Sequence, residues 1–450
     1  MKTHQNKYIL FFLFFVLITS FLTNSFAISL FHKKVEEKSK VEKHVLKNGL
    51  TVLIRESHSS KIVTLDIWVN TGSMNEDENI NGVSHFLEHM MFKGTKTRGV
   101  GEIDKVIESV GGYWNAGTSR DFTHYYLTVA SNYFDVGLDV LSDVIQNSVI
   151  AKDEFERERM VVIEEYRRKQ DNPPSLLWED QFFNSFKTGP YKLSVLGTPE
   201  SLNKLTAKRM RQYYEELYTP DNMTFIICGD VIPSEILPKI EKAFEKNNRK
   251  LNKNAVLDTK TQWVGAINKE MQKSVGEVYL TVAYPAPSMN DFKEVCAMDL
   301  ISTILIGGNS SKMYQNIKEK KQLVSTISSQ FPTMKYNSIF SIFATCKPEK
   351  LDNAKKEILS EINNFVEKGP SRKELNKAKK IIINSYYFAT ETTSGQSEEL
   401  GFYYTLTGDT DFSENYTKYI EEITIHDIKE TARKYLNSDL ANTYLIKPQK

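Results

Sequence analysis

Strand-like segments followed by helix-like segments occur twice in this chain. They lie on either side of a polar stretch, KNNRKLNKN at 246–254, which has no apolar period and reads as part of a linker over 246–260. A chain written this way is constrained to an α+β fold with two related domains. Each is expected to be an antiparallel β-sheet with helices packed on one face, the two arranged as a clam-like pair. The expected boundaries are 41–245 and 261–450.

In the first half, VEKHVLKNGLTVLIR (41–55) reads as two strands joined at Asn48-Gly49, a strong hairpin signal. In KIVTLDIWVN, Val63, Leu65, Ile67 and Val69 alternate with Thr64, Asp66 and Asn70, which predicts a strand with one buried face. The stretch SHFLEHMMFKGT (84–95) reads as a helix, with Asn79 and Asn81 as candidate caps and Gly94 at its end. GEIDKVIESVGG gives a second helix, and YWNAGTS and THYYLTVA give two strands about the turn Arg120-Asp121. Helices are expected near 133–148 and 152–170, the latter stopped by Pro173-Pro174, and again near 176–187 and 204–217, before the strand MTFIICGD. The second half offers VGEVYLTVAYP, STISSQF and SIFSIFATC as strands. FKEVCAMDLISTILIGG reads as an apolar helix, and long helices fill 350–395.

The N-terminus is separate from both halves. Lys2 and Lys7 precede an apolar run from Tyr8 to Leu22, about 15 residues where a membrane span needs ~20. Ser25 and Ala27 supply small residues at the two positions a signal peptidase reads. Residues 1–27 are therefore expected to be a signal peptide and 28–40 a charged leader, with the protein exported, in a bacterium to the periplasm. The alternative is an uncleaved segment that anchors the protein to the membrane. A net charge of +1 gives no reason to expect a nucleic-acid or anionic-membrane partner. Cys228, Cys296 and Cys346 are widely spaced and odd in number, and read as small buried residues.

The chemistry concentrates in the helix at 84–95. Residues four apart on a helix have Cβ atoms about 5–6 Å apart, so His85 and His89 can aim at one point. Glu88 borders the same face and is placed to hold a water rather than a metal. H-x-x-E-H is the inverted form of the zinc-protease signature, and with only 8 histidines composition alone seldom produces it. The competing reading is a partly buried helix whose histidines satisfy backbone groups. Catalytic zinc takes three protein ligands and keeps a fourth position open. DEFERERMVVIEEYRRK offers Glu158 and Glu165, seven apart on one helix face, although such a pair equally describes solvated surface.

With these residues in place, the chain from about residue 41 onward resembles the pitrilysin and insulinase family of zinc peptidases, in its smaller, processing-peptidase-like bacterial branch. HFLEH carries the likeness, together with VLGTPESLNKLT, YYEELYTPDNMTFIICGD and YWNAGTSRDFTHYY. Family members place the third ligand about 75 residues beyond the second histidine, on an ER-x-x-V-x-x-E-like helix. Between His89 and Glu165 there are 75 residues (165 − 89 − 1), which selects Glu165 over Glu164. The resemblance thus implies one zinc ion per chain on His85, His89 and Glu165, with Glu158 as the supporting glutamate. It also implies Glu88 as general base and an extended peptide lying beside Asn115–Thr118, its backbone met by Asn115 and Ala116. On composition alone, YWNAGTS reads as an interior strand.

Two departures from the family follow. Where HFLEH would fall in the second half the sequence reads DLIST (299–303), so no second metal site is expected there. In IKEKKQLVS (317–325), Lys318 and Ser325 stand where active members carry an arginine and a tyrosine, and a serine has no phenol to offer a developing oxyanion. The expectation is an exported zinc metalloendopeptidase that hydrolyses peptides or unstructured segments. A related subunit without zinc ligands would supply the arginine and tyrosine, making a heterodimer in preference to a homodimer. The alternatives are a non-catalytic structural or assembly subunit of the same fold, and a peptidase dedicated to one precursor.

Overall fold

The computed structural model describes residues 40–252 and 261–449. The expected signal peptide, the leader up to residue 39 and the 253–260 part of the linker lie outside the described residues.

The hairpin forms as the Asn48-Gly49 signal predicts, from β1 (Glu42–Val45) and β2 (Thr51–Glu56). After β3 (Ile62–Val69) come α1 (Val83–Met91), which carries the H-x-x-E-H residues, and α2 (Glu102–Ser109). Next are β4 (Tyr113–Thr118), β5 (Thr123–Ala130), α3 (Phe134–Asn147) and α4 (Lys152–Gln170). The first half continues through α5 (Pro173–Ser185), β6 (Phe186–Thr188), α6 (Pro199–Lys204), α7 (Ala207–Leu217), β7 (Met223–Gly229) and α8 (Pro233–Phe244). Pro173 and Pro174 do not merely follow α4; they are the first two residues of α5, where a missing N–H leaves nothing unpaired.

The second half runs β8 (Gln262–Trp263), β9 (Asn268–Lys273), β10 (Val278–Ala286), α9 (Phe292–Ile306), β11 (Thr326–Gln330) and β12 (Ser338–Cys346). It ends with α10 (Leu351–Lys368), α11 (Arg372–Ala389), α12 (Thr393–Thr407), α13 (Asp411–Glu422), α14 (Ile425–Tyr435) and β13 (Asn442–Pro448). Gly369-Pro370 divides the long helical stretch expected over 350–395.

The first sheet has the order β1-β2-β7-β3-β5-β4 and the second β11-β12-β10-β13-β9. Set side by side, β2-β7-β3-β5-β4 and β9-β13-β10-β12-β11 are the same arrangement. The first pair is parallel in each and every later pair antiparallel. The repeat read from the sequence is therefore a repeat of topology. Each sheet buries one face under helices of its own half, the first through residues such as Leu65, Ile67 and Phe86, the second through Val282, Ile301 and Phe340.

The opposite faces are not bare. Each takes one helix from the other half. Helix α5 lays Leu177 and Phe182 against Ala283, Ile339 and Tyr444 of the second sheet. Helix α12 lays Leu400 and Tyr404 against Leu53, Trp68 and Ile226 of the first. The register of α12 is legible in one spacing. Thr393 bonds Thr64 (Oγ1–Oγ1, 2.9 Å), Ser397 donates to Asp66 (3.1 Å), and Gly401 lies against Trp68, where a Cβ would stand 2.2 Å from the indole. Four residues of helix rise about 6 Å and two of strand about 6.7 Å, so small residues every four on α12 meet alternate residues of β3. Buried Arg55 and half-buried Glu399 add an ion pair at 3.5 Å across the same junction.

Candidate metal centre

Helix α1 is set from both ends and from below. Its N-cap, Gly82, has no side chain to offer. The buried carboxylate of Glu76 reaches in from the preceding loop and accepts from the N–H groups of Gly82 (2.7 Å) and Ser84 (2.8 Å). Asn81 does not cap the helix; its amide donates to Glu76 (2.9 Å), and Asn79 is likewise outside the cap. Burial pushes the Glu76 carboxyl up to about 7. Phe86, Leu87, Met90 and Met91 face the core, and Phe86 stacks on Phe155 of α4 (centroids 4.6 Å apart, planes 20° apart). That stack fixes α4 beside α1, so Glu158 and Glu165, one and three turns beyond Phe155, come level with the histidines.

His85, His89 and Glu165 converge. One ligand atom from each lies within 4.8 Å of the others, and no other such group of three occurs among the described residues. Both Nε2 atoms stand 3.6 Å from Glu165 Oε2. That is longer than a hydrogen bond and close to the ~3.4 Å edge expected of ligands set tetrahedrally around an ion at about 2.1 Å. His89 has its other nitrogen, Nδ1, 2.8 Å from Glu158 Oε1, and Lys93 holds the second oxygen of Glu158 at 2.8 Å. A ligating imidazole tied through its far nitrogen to a carboxylate is the usual support of a metal ligand. His85 differs: its Nδ1 is buried and has no hydrogen-bond partner among the described residues. The donor set and spacing fit zinc.

The electrostatics separate the groups. Burial drives His85 down to about 4, with His89 adding to the effect. Burial also works against charge on His89, but Glu165 and Glu158 outweigh it and its pKa rises. His89 in turn holds Glu165 low, against the effect of burial. Glu88 is raised by burial, although Thr118 Oγ1 donates to its Oε2 at 2.6 Å. This bond occupies one carboxylate oxygen, and Oε1 makes no hydrogen bond among the described residues.

The bond from Thr118 also joins the helix to strand β4. The strand pairs only with β5 and forms the edge of the sheet, so the interior position that composition favours for YWNAGTS is not the one adopted. Asn115 is exposed and Ala116 half-buried on this edge. Two residues elsewhere complete the account of what sequence reading singled out. Lys318 Nζ donates to Tyr314 (3.2 Å) within the helical turn over 314–320. Ser325 Oγ bonds Glu277 (2.9 Å) and Thr345 (2.7 Å) beside β11. In α9, the site of DLIST, Asp299 is half-buried and accepts from the Tyr416 hydroxyl (2.8 Å). Sequence reading missed Glu76, Lys93 and the role of Thr118. Thr118 had a signal, the threonine ending the strand that runs beside the motif, whereas Glu76 acts through a loop whose path no periodicity reveals.

Comparison with known proteins agrees with this architecture. Residues 51–199 match the family described as Insulinase (Peptidase family M16), and 204–382 match the Peptidase M16 inactive domain. An uncharacterized zinc protease of Rickettsia felis is 30% identical over 87% of this chain and 94% of its own length. The probable mitochondrial-processing peptidase subunit beta of Arabidopsis thaliana is 26% identical over 88% of this chain and 76% of its own. Among solved structures, a protease from Helicobacter pylori superposes with a TM-score of 0.85 at 26% identity, covering 91% of this chain and 100% of that one.

Proposed function

The chain belongs to the insulinase peptidase family, M16, and from that premise we propose that it is a zinc metalloendopeptidase acting on peptides or unstructured segments, completed by a related subunit. The observation that carries this reading is the convergence of His85, His89 and Glu165 within 4.8 Å beside Glu88. A zinc ion held by His85, His89 and Glu165 would supply Lewis acidity toward a scissile carbonyl and the attacking water.

The chain's own residues do the rest. Glu158 holds the His89 ring in orientation through Nδ1. Glu88 takes a proton at Oε1 and returns it to the leaving amine, while Thr118 fixes Oε2. Burial keeps the Glu88 carboxylate more basic than an exposed glutamate, as a general base near neutrality requires. The peptide adds as a strand along the outer edge of β4, past Asn115 and Ala116, so that backbone hydrogen bonds hold it and side chains are read loosely.

The partner is inferred from Lys318 and Ser325, whose polar atoms are engaged with Tyr314, Glu277 and Thr345. A related chain without zinc ligands supplies an arginine and a tyrosine to this centre. The N-terminal basic and apolar segment carries export. The same two residues favour the second reading, a non-catalytic structural subunit. Peptide hydrolysis by the wild type and Glu88→Gln, each with and without the candidate partner and with metal content measured, decides between them. Zinc-loaded wild type that is active only with the partner, and Glu88→Gln that keeps zinc and loses turnover, is the expected result. Full activity in Glu88→Gln overturns the mechanism, and wild-type activity that the partner does not change overturns the need for it.

A further inference from the structure

The face of β4 turned away from α1 holds a second polar arrangement. Trp114 and Thr118 point toward the helices, meeting Phe92 and Glu88, so Asn115 and Gly117 belong to the opposite face. There Gly117 pairs with His124 of β5, and Asn115 with Tyr126. The His124 ring lies between Trp68 (centroids 4.3 Å apart) and Tyr126 (5.2 Å, planes 20° apart). Its Nδ1 is 3.2 Å from Asp66 Oδ1, and Asp66 is itself held by Ser397 of α12. The ring is thus clamped in position and orientation by groups from both halves of the chain. Burial works against its charge, but Asp66 outweighs burial, with Glu398 of α12 and Glu88 adding to the effect, so the imidazolium is favoured.

The other end of the ring is free. Nε2 makes no hydrogen bond among the described residues, and it points at the place where β4 lacks a side chain. A Cβ at Gly117 would stand 3.2 Å from it. On a strand added to the β4 edge, the residue opposite Gly117 places its Cβ about 4.5–5.5 Å from that same position. An oxygen three bonds further along such a side chain reaches Nε2 across the gap that glycine leaves.

We propose that Gly117 and His124 form a subsite of the peptide groove that selects a substrate side chain ending in a hydrogen-bond-accepting oxygen, of the Gln and Glu class. The selected residue faces Gly117 on the side of the sheet away from α1. Gly117 provides the opening and His124 Nε2–H the donor. The subsite rests on the reading that substrate adds as a strand to β4.

The test is direct binding. Glu88→Gln chain loaded with zinc is titrated against a fluorescent extended peptide in which Gln, Glu or Met, similar in length, occupies each position in turn. Anisotropy is expected to show Gln and Glu binding about tenfold more tightly than Met at one position and not at its neighbours. Adding His124→Phe, which preserves the aromatic stack, or Gly117→Ala, which fills the opening, is expected to bring that ratio close to one. A ratio that is absent in the parent, or that survives His124→Phe, overturns the subsite. So does an equal weakening of every peptide by His124→Phe, which would make the ring a structural prop. Peptides that bind none of these proteins overturn strand addition to β4 itself, and the subsite with it.

Discussion

The two halves share strand order, strand direction and even the exchange of a crossing helix, yet the helix between the second and third matching strands in chain order (β3 and β4, β10 and β11) is used differently in each. In the first half that helix, α1, buries Phe86, Leu87, Met90 and Met91 and turns His85, Glu88 and His89 toward the edge of the sheet. In the second, α9 is apolar almost all round, and its mid-helix carboxylate, Asp299, is half-buried with Tyr416 as partner. Both helices hold a carboxyl raised by burial. Glu88 sits beside two histidines and an edge strand, whereas Asp299 has the Tyr416 hydroxyl as its partner and no histidine beside it among the described residues. What the difference teaches is that topology places a helix next to an edge strand, and only polar residues on the outward side of that helix make a site of it.

The largest effect that tests this contrast comes from treating the two carboxyls alike. With partner present, Glu88→Gln is expected to lower turnover by about 10²–10⁴-fold with zinc content unchanged. Asp299→Asn is expected to leave kcat/KM at the wild-type value, and a matching loss there would break the contrast. Next in size is Glu158→Ala, which frees the His89 ring and is expected to weaken zinc binding about 10–100-fold in a chelator competition.

Asp299 has its own signature in pH. Burial raises its carboxyl to about 7, so at intermediate pH the folded chain holds a proton that the unfolded chain has lost. Its contribution to stability is therefore full in acid and declines as pH rises from about 4 to about 7, by about 1 kcal/mol per unit at the steepest. Urea midpoints of wild type and Asp299→Asn across that window are expected to converge toward low pH and to separate toward pH 8, with the variant relatively more stable. Smallest is Gly401→Ala, which forces α12 off Trp68 and is expected to cost about 1–3 kcal/mol in the same unfolding measurement.

Legibility in the sequence followed the range of the interactions. His85, Glu88 and His89 stand out because helix geometry alone puts them on one face. Glu165 does not, since its approach depends on the Phe86–Phe155 stack between α1 and α4; only a family spacing distinguished it from Glu164. The hairpin at Asn48-Gly49 and the alternation of β3 are local and were readable. Strand β9, NKEMQK, has no apolar alternation because it is an exposed edge, and it becomes a strand by pairing in parallel with β13, more than 170 residues later. The edge position of β4 was not in its composition either, because Tyr113–Thr118 looks like any aromatic, half-buried strand.

By itself, then, the sequence determined the duplicated strand-and-helix order and the shared face of His85, Glu88 and His89 on α1, because each rests on patterning within single segments, whereas Lys318 and Ser325 stood out only against the family resemblance. The tertiary structure alone decided that Thr118 holds Glu88 and Glu76 holds the start of α1, and that Thr393, Ser397 and Gly401 of α12 ride on β3. Those facts join residues up to 331 positions apart, as between Asp66 and Ser397. A small or polar residue acquires meaning at such a distance only when packing brings its counterpart within a few ångströms, and neither propensity nor period encodes which counterpart that will be.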